Sequence, residues 1–166
     1  TEFDDIASPY QRILNYHAAH DIGHALQNMS LVGCTAFATW GNKSEDSTLI
    51  IGRNFDFYVG DDFARDKIIA FYKPSEGYKF MMVTFGGMTG VLSGINDQGL
   101  TVTINAAKSD VPGASATPVT LVTREILQYA STIQEAYDIV AKRKMFVSES
   151  FLIGSAKDGK ASIIEK

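Results

Sequence analysis

The sequence predicts an α+β fold, and three features predict it. An N-terminal stretch reads as helix, strand-like runs fill residues 34–105, and a helix pair then leads into a closing hairpin. At 166 residues, with 45% hydrophobic and 20% charged residues, the chain is one globular domain able to bury a sizeable core.

Residues 9–28 read as the first helix. Ser8 can cap it, and Pro9 suits its first turn, where no backbone N–H is needed. Ile13, Tyr16, His20, Ile22 and Leu26 give it a partly periodic apolar face. All three histidines, His17, His20 and His24, lie here at spacings of three and four, along one side of the helix. No Glu or Cys stands at a matching position, so packing or hydrogen bonding beside Asp21 is the expected use rather than a metal site.

Residues 34–40, 48–54, 67–73, 80–85, 90–95 and 100–105 favour strands through their Val, Ile, Thr and aromatic content. Gly41-Asn42-Lys43-Ser44-Glu45-Asp46 makes the first hairpin loop, and Asn96-Asp97-Gln98-Gly99 makes another. Gly86-Gly87-Met88-Thr89-Gly90 lacks the Lys-Ser/Thr ending of a phosphate loop and leads into no helix. A sharp turn, open to close approach by substrate, is the better reading. Thr117-Pro118 starts the next helix, with Val119, Val122, Ile126, Leu127 and Ala130 as its buried face. Thr132 with Glu135 forms a capping box for the one after it, which runs to about Lys144. Residues 150–156 and 161–166 then form a hairpin around Lys157-Asp158-Gly159-Lys160.

The chemistry centres on Cys34, the only cysteine, in Gly33-Cys34-Thr35. A lone cysteine makes no intrachain disulfide and no multi-cysteine zinc site, so it serves packing or reactivity. The hairpin brings Gly52-Arg53-Asn54-Phe55-Asp56-Phe57 back towards it. An arginine beside a thiol stabilises the nucleophilic thiolate, and an aspartate can orient an amine. Each residue also has a plainer use: Cys34 as core filling, Arg53 and Asp56 as a solvated ion pair, and Asn54 and Asn105 as hydrogen bonders of backbone.

Taken with Gly99-Leu100-Thr101-Val102-Thr103-Ile104-Asn105, these motifs resemble the N-terminal nucleophile cysteine hydrolases: choloylglycine hydrolases, penicillin V acylases, acid ceramidase and the acyl-CoA:6-aminopenicillanic acid acyltransferases. The resemblance runs from about Gly33 to the end of the chain. It implies a four-layer αββα sandwich, truncated here at the C-terminus, because relatives continue beyond Ile163-Ile164-Glu165-Lys166 with further sheet, a second asparagine and another arginine. It also implies a helical prosegment at 1–33 and the N-terminal part of the hydrolase domain at 34–166.

Carried over by residue, the resemblance makes Gly33–Cys34 an autocleavage site and the freed α-amine of Cys34 the general base for its own thiol. Such an amine titrates near neutrality, so no histidine is required. Arg53 would sit beside the sulfur, Asp56 would orient the amine, and the Asn105 side chain would donate to the oxyanion. Neither cofactor nor metal is implied.

The implied activity is hydrolysis of the linear amide of an N-acyl compound through a Cys34 thioester. Transfer of the acyl group to an amine or thiol is the alternative, and a non-catalytic binding protein with Cys34 in its core is the contrasting one. Phe57, Tyr58, Phe63 and Phe85 could line an acyl pocket, although aromatics at strand positions more often fill a core.

The expected partner is a small-molecule N-acyl amide, with the rest of the same protein or a second chain completing the site. A homo-oligomer stays open. A net charge of −4 without any basic run argues against nucleic acid. No apolar run approaches the roughly 18 residues of a membrane span, and Thr1-Glu2-Phe3-Asp4-Asp5 lacks the basic start of a signal peptide. For location, the resemblance favours export and the residues themselves assign nothing. Asn28-Met29-Ser30 and Asn42-Lys43-Ser44 are too short to carry meaning.

Overall fold

A computed structural model describes residues 2–26, 32–57, 60–107 and 116–166. Its elements are α1 (Pro9–Leu26), β1 (Val32–Gly41), β2 (Ser47–Phe57), α2 (Asp61–Arg65), β3 (Lys67–Tyr72), β4 (Phe80–Phe85), β5 (Ser93–Asn96), β6 (Leu100–Ala106), α3 (Val119–Tyr129), α4 (Ile133–Lys142), β7 (Glu149–Ser155) and β8 (Lys160–Glu165). Asn28, its tripeptide and Tyr58 lie outside the described residues, as do the side chains of His24, Leu26 and Phe63.

Strands β3 to β8 form one antiparallel sheet in chain order, and β1 pairs with β2 in a separate hairpin. Helix α3 lies over β5 and β6, and α4 over β7 and β8. The hairpin covers β6 to β8 from the opposite face. Helices, six-stranded sheet and hairpin stack in that order, which makes three of the four layers of an αββα sandwich among the described residues. Alternation along β6 assigns its faces: Leu100, Val102 and Ile104 enter the core under the helices, while Thr101, Thr103 and Asn105 turn to the hairpin.

Both capping expectations hold. The Ser8 hydroxyl accepts from the Gln11 N–H while the Gln11 side chain accepts from the Ser8 N–H. Thr132 and Glu135 make the reciprocal box at α4. Strand 90–95 is shorter than expected at its start, because the Gly90 and Val91 N–H groups bond to α1 and α3 before β5 begins at Ser93. The short α2 has no hydrophobic period to announce it.

The buried face of α1 is not the one its apolar residues predict. Ile13, Tyr16 and Ile22 are exposed, whereas His17, His20 and Asp21 are buried. His17 Nε2 accepts from the Thr89 and Gly90 N–H groups at 3.1 and 2.8 Å, which leaves Nδ1 to donate to the Ile13 carbonyl at 2.7 Å. An Asp21 oxygen accepts from the Val119 N–H at 2.9 Å, so a carboxylate of α1 caps the start of α3. Directional hydrogen bonds dock this helix, and hydropathy does not register them. The glycine turn is correspondingly spent on α1 and α3: a Cβ on Gly90 would come within 2.8 Å of both Thr120 and His17. Those helices, not substrate, make the close approach.

Candidate active site

The site is built where the hairpin crosses β6, and register decides which side chains reach it. Cys34 lies opposite Phe55, and Ala36 opposite Arg53. Directly paired residues share a face, so Cys34, Ala36, Arg53 and Phe55 all point at the six-stranded sheet. Arg53 Nη2 donates to the Ile104 carbonyl at 2.6 Å and to Cys34 Sγ at 3.4 Å, while Nη1 donates to the Ser93 hydroxyl at 3.0 Å. Its guanidinium also stacks over Phe55, 4.4 Å from the ring centre. Burial draws the Arg53 pKa below its ordinary value. A negative charge on the Cys34 sulfur opposes this most, followed by Glu149 and Asp56. Arginine stays protonated under such a shift, so a cation stands fixed beside the sulfur.

Asn105, the hairpin-facing residue near the end of β6, shares a cavity of about 550 Å³ with Cys34, Trp40, Ser150, Leu152 and Ile163. Its Nδ2 donates to Thr103 Oγ1 at 3.2 Å and to the Thr103 and Ser150 carbonyls at 3.4 Å. Two carbonyl acceptors around one end of the amide fix which end is nitrogen, since a flipped amide would set oxygen against oxygen. Asn105 Oδ1 is then buried without a hydrogen-bond partner among the described residues.

Asp56 falls on the other face. It pairs with Gly33 across the hairpin, its Oδ1 accepts from Asn54 Nδ2 at 2.8 Å, and Oδ2 lies 3.7 Å from where a Gly33 Cβ would be. Arg53 and Asp56 are three positions apart, so strand alternation puts them on opposite faces, yet the carboxylate still flanks the Gly33–Cys34 peptide. The chain is continuous there, within β1, so a boundary between residues 33 and 34 cuts a strand.

The structure therefore sets Cys34 and Asn105 on one cavity, bonds Arg53 to the Cys34 sulfur from beside it, and holds Asp56 next to the peptide preceding Cys34. Sequence reasoning missed Ser93, Thr103 and Ser150, which hold Arg53 and Asn105. Thr103 sits two residues before Asn105 on a strand, and that spacing was the available signal. Ser93 had none. Of the aromatics that could have lined an acyl pocket, the two with described side chains do not reach the Cys34 cavity, in line with the commoner packing role. Phe57 stacks on Phe55 and His20, and Phe85 lines a separate cavity of about 220 Å³ with Arg53 and Ser93. Trp40 lines the Cys34 cavity instead. His17 is spent on docking α1 to residues 89 and 90, and His20 bonds Asp21 and stacks on Phe55 and Phe57.

A family profile described as acyl-coenzyme A:6-aminopenicillanic acid acyl-transferase matches residues 41–165. The chain belongs to this family. The matched stretch contains Arg53, Asp56 and Asn105 and begins after Cys34. The chain is 24% identical over 135 residues to an uncharacterized protein of Archaeoglobus fulgidus, covering 80% of this chain and 22% of that protein. It is similar in fold to the Caenorhabditis elegans ortholog of N-acylethanolamine-hydrolyzing acid amidase, with a TM-score of 0.59 and 18% identity over 80% of this chain and 63% of that one. The chain thus spans less than two thirds of either relative. Family and fold agree with the resemblance to N-terminal nucleophile cysteine hydrolases. Among the described residues, no helix is long and apolar enough to cross a membrane.

Proposed function

We propose that this chain carries the nucleophilic half of a self-processing amidase that hydrolyses N-acyl compounds through a thioester on Cys34. The observation that carries the reading is the contact of Arg53 Nη2 with Cys34 Sγ at 3.4 Å, with Asn105 lining the same cavity. A half-buried guanidinium that donates to the sulfur is suited to stabilise a thiolate as it forms during attack.

In the proposed sequence, the Cys34 sulfur first attacks the Gly33 carbonyl carbon, and the peptide nitrogen leaves as the α-amine of Cys34. Water hydrolyses the resulting Gly33 thioester. The amine, held by the Asp56 carboxylate, then takes the thiol proton. The thiolate attacks the substrate's acyl carbon, Asn105 Nδ2 donates to the oxyanion, and the substrate amine departs with the proton that Cys34 gave up. Water attacks the second thioester, which releases the acid and restores the thiol. Asn105 faces the Cys34 cavity, and its bonds to Thr103 and Ser150 are long enough to be exchanged for a charged acceptor.

Acyl transfer is the second reading, favoured by the description of the family. It differs only in the last step, where an amine or thiol replaces water at the thioester. The test uses the full-length gene product. N-terminal sequencing and intact mass are expected to show a chain starting at Cys34 in the wild type and an uncut chain for Cys34→Ala. Added hydroxylamine then reports partition, because hydroxamate forms at the expense of acid. A wild type that stays whole while its Cys34 remains alkylatable leaves the amine-assisted mechanism without its base.

A further inference from the structure

We propose that Ser93 is a positioning residue that sets Arg53 against Cys34, an inference that rests on the amidase reading. Arg53 springs from the hairpin but is anchored on the other sheet. Among the described residues its two terminal nitrogens meet three acceptors: the Cys34 sulfur, the Ile104 carbonyl and the Ser93 hydroxyl. The carbonyl belongs to the backbone, so Ser93 is the side chain through which β5 aims the guanidinium. Two acceptors on neighbouring strands are what a planar fork needs to be held in direction as well as in place.

Two further facts make the hydroxyl matter. Arg53 and Ser93 together line the cavity of about 220 Å³, so a guanidinium released from Ser93 has space to turn away from the sulfur. Burial has also taken much of its water, and Nε is already buried without a partner among the described residues. Ser93 lies directly opposite Thr103, whose hydroxyl accepts from Asn105. One cross-strand pair of hydroxyls therefore aims both groups that serve the reaction. Ser93 bonds Arg53 and not the sulfur among the described residues, so its role is positioning through Arg53.

The test compares Ser93→Val with Ser93→Thr, which match in shape and differ by the hydroxyl, so that packing effects of branching cancel. In the full-length gene product, the rate of Cys34 alkylation by iodoacetamide is read by peptide mass spectrometry at about pH 7 and about pH 10, where an ordinary thiol is respectively mostly protonated and mostly ionised. Ser93→Val is expected to lower the ratio of the two rates about threefold, Ser93→Thr to keep the wild-type ratio, and Arg53→Met to lower it at least as far as Ser93→Val. Equal ratios for Val and Thr, with Arg53→Met low, overturn the role of Ser93 and leave the amidase reading standing. A wild-type ratio in Arg53→Met removes the coupling between Arg53 and Cys34, and both readings fall together.

Discussion

The two faces of the six-stranded sheet are built differently. Under α3 and α4, Met82, Leu100, Val102, Leu127, Phe151 and Ile153 are fully buried in one continuous cluster. On the hairpin face, Phe71 is 80% and Ile163 64% exposed, and the contacts that matter are polar and few. Apolar burial contributes about 25 cal/mol per Å², so stability concentrates on the helical face. The hairpin face instead keeps open volume next to a desolvated cation, which is what a reaction cavity requires. One sheet thus divides its work by side-chain alternation alone.

That division is most directly broken by paired truncations. Leu127→Ala is expected to cost about 2–5 kcal/mol, because the side chain is fully enclosed and the site cannot collapse. Ile163→Ala, which lines the Cys34 cavity, is expected to stay within about 0.5 kcal/mol. Urea unfolding of the two variants measures both, and equal losses would show that the hairpin face carries stability after all.

A smaller effect asks to which side α1 belongs. Asp21→Ala strips the Val119 N–H of its buried acceptor and is expected to cost about 1–3 kcal/mol, whereas Asp21→Asn, which keeps an acceptor oxygen, costs less. Thermal unfolding distinguishes them. An unchanged midpoint in Asp21→Ala would detach α1 from the helical layer and leave it as a mere covering of the chain ahead of Cys34.

The smallest effect lies at the N-terminus of α4. Thr132→Ala is expected to cost about 1 kcal/mol. There the Ile133 N–H holds the Asp158 carboxylate below its ordinary value of 3.8, and the Ser131 N–H holds Glu135 below 4.5. A carboxylate with a depressed folded pKa contributes stability that is complete above the unfolded pKa and is lost as pH falls through the lower folded one. Asp158→Asn should therefore flatten the acid limb of stability between about pH 4 and pH 2 and change little near pH 7. Urea midpoints across that range check it, and an unaltered acid limb would remove Asp158 from the cap.

Most elements were legible because each rests on local rules, and Cys34, Arg53 and Asn105 were singled out because their motifs resemble a known family. Caps at Ser8 and Thr132, strand alternation through 100–105 and the loop at 41–46 are short-range patterns that chain neighbours enforce. The face of α1 was misread, since His17 and Asp21 are buried by bonds to Gly90 and Val119, far along the chain. The sequence by itself determined the α+β order of elements, the family and the candidate side chains of the site. Only the tertiary structure decided that Ser93 holds Arg53, that Asp56 lies across from Gly33 and that Trp40 rather than Phe57 lines the cavity. Register and sheet crossing bring together residues dozens of positions apart, and no periodicity within either segment encodes that meeting.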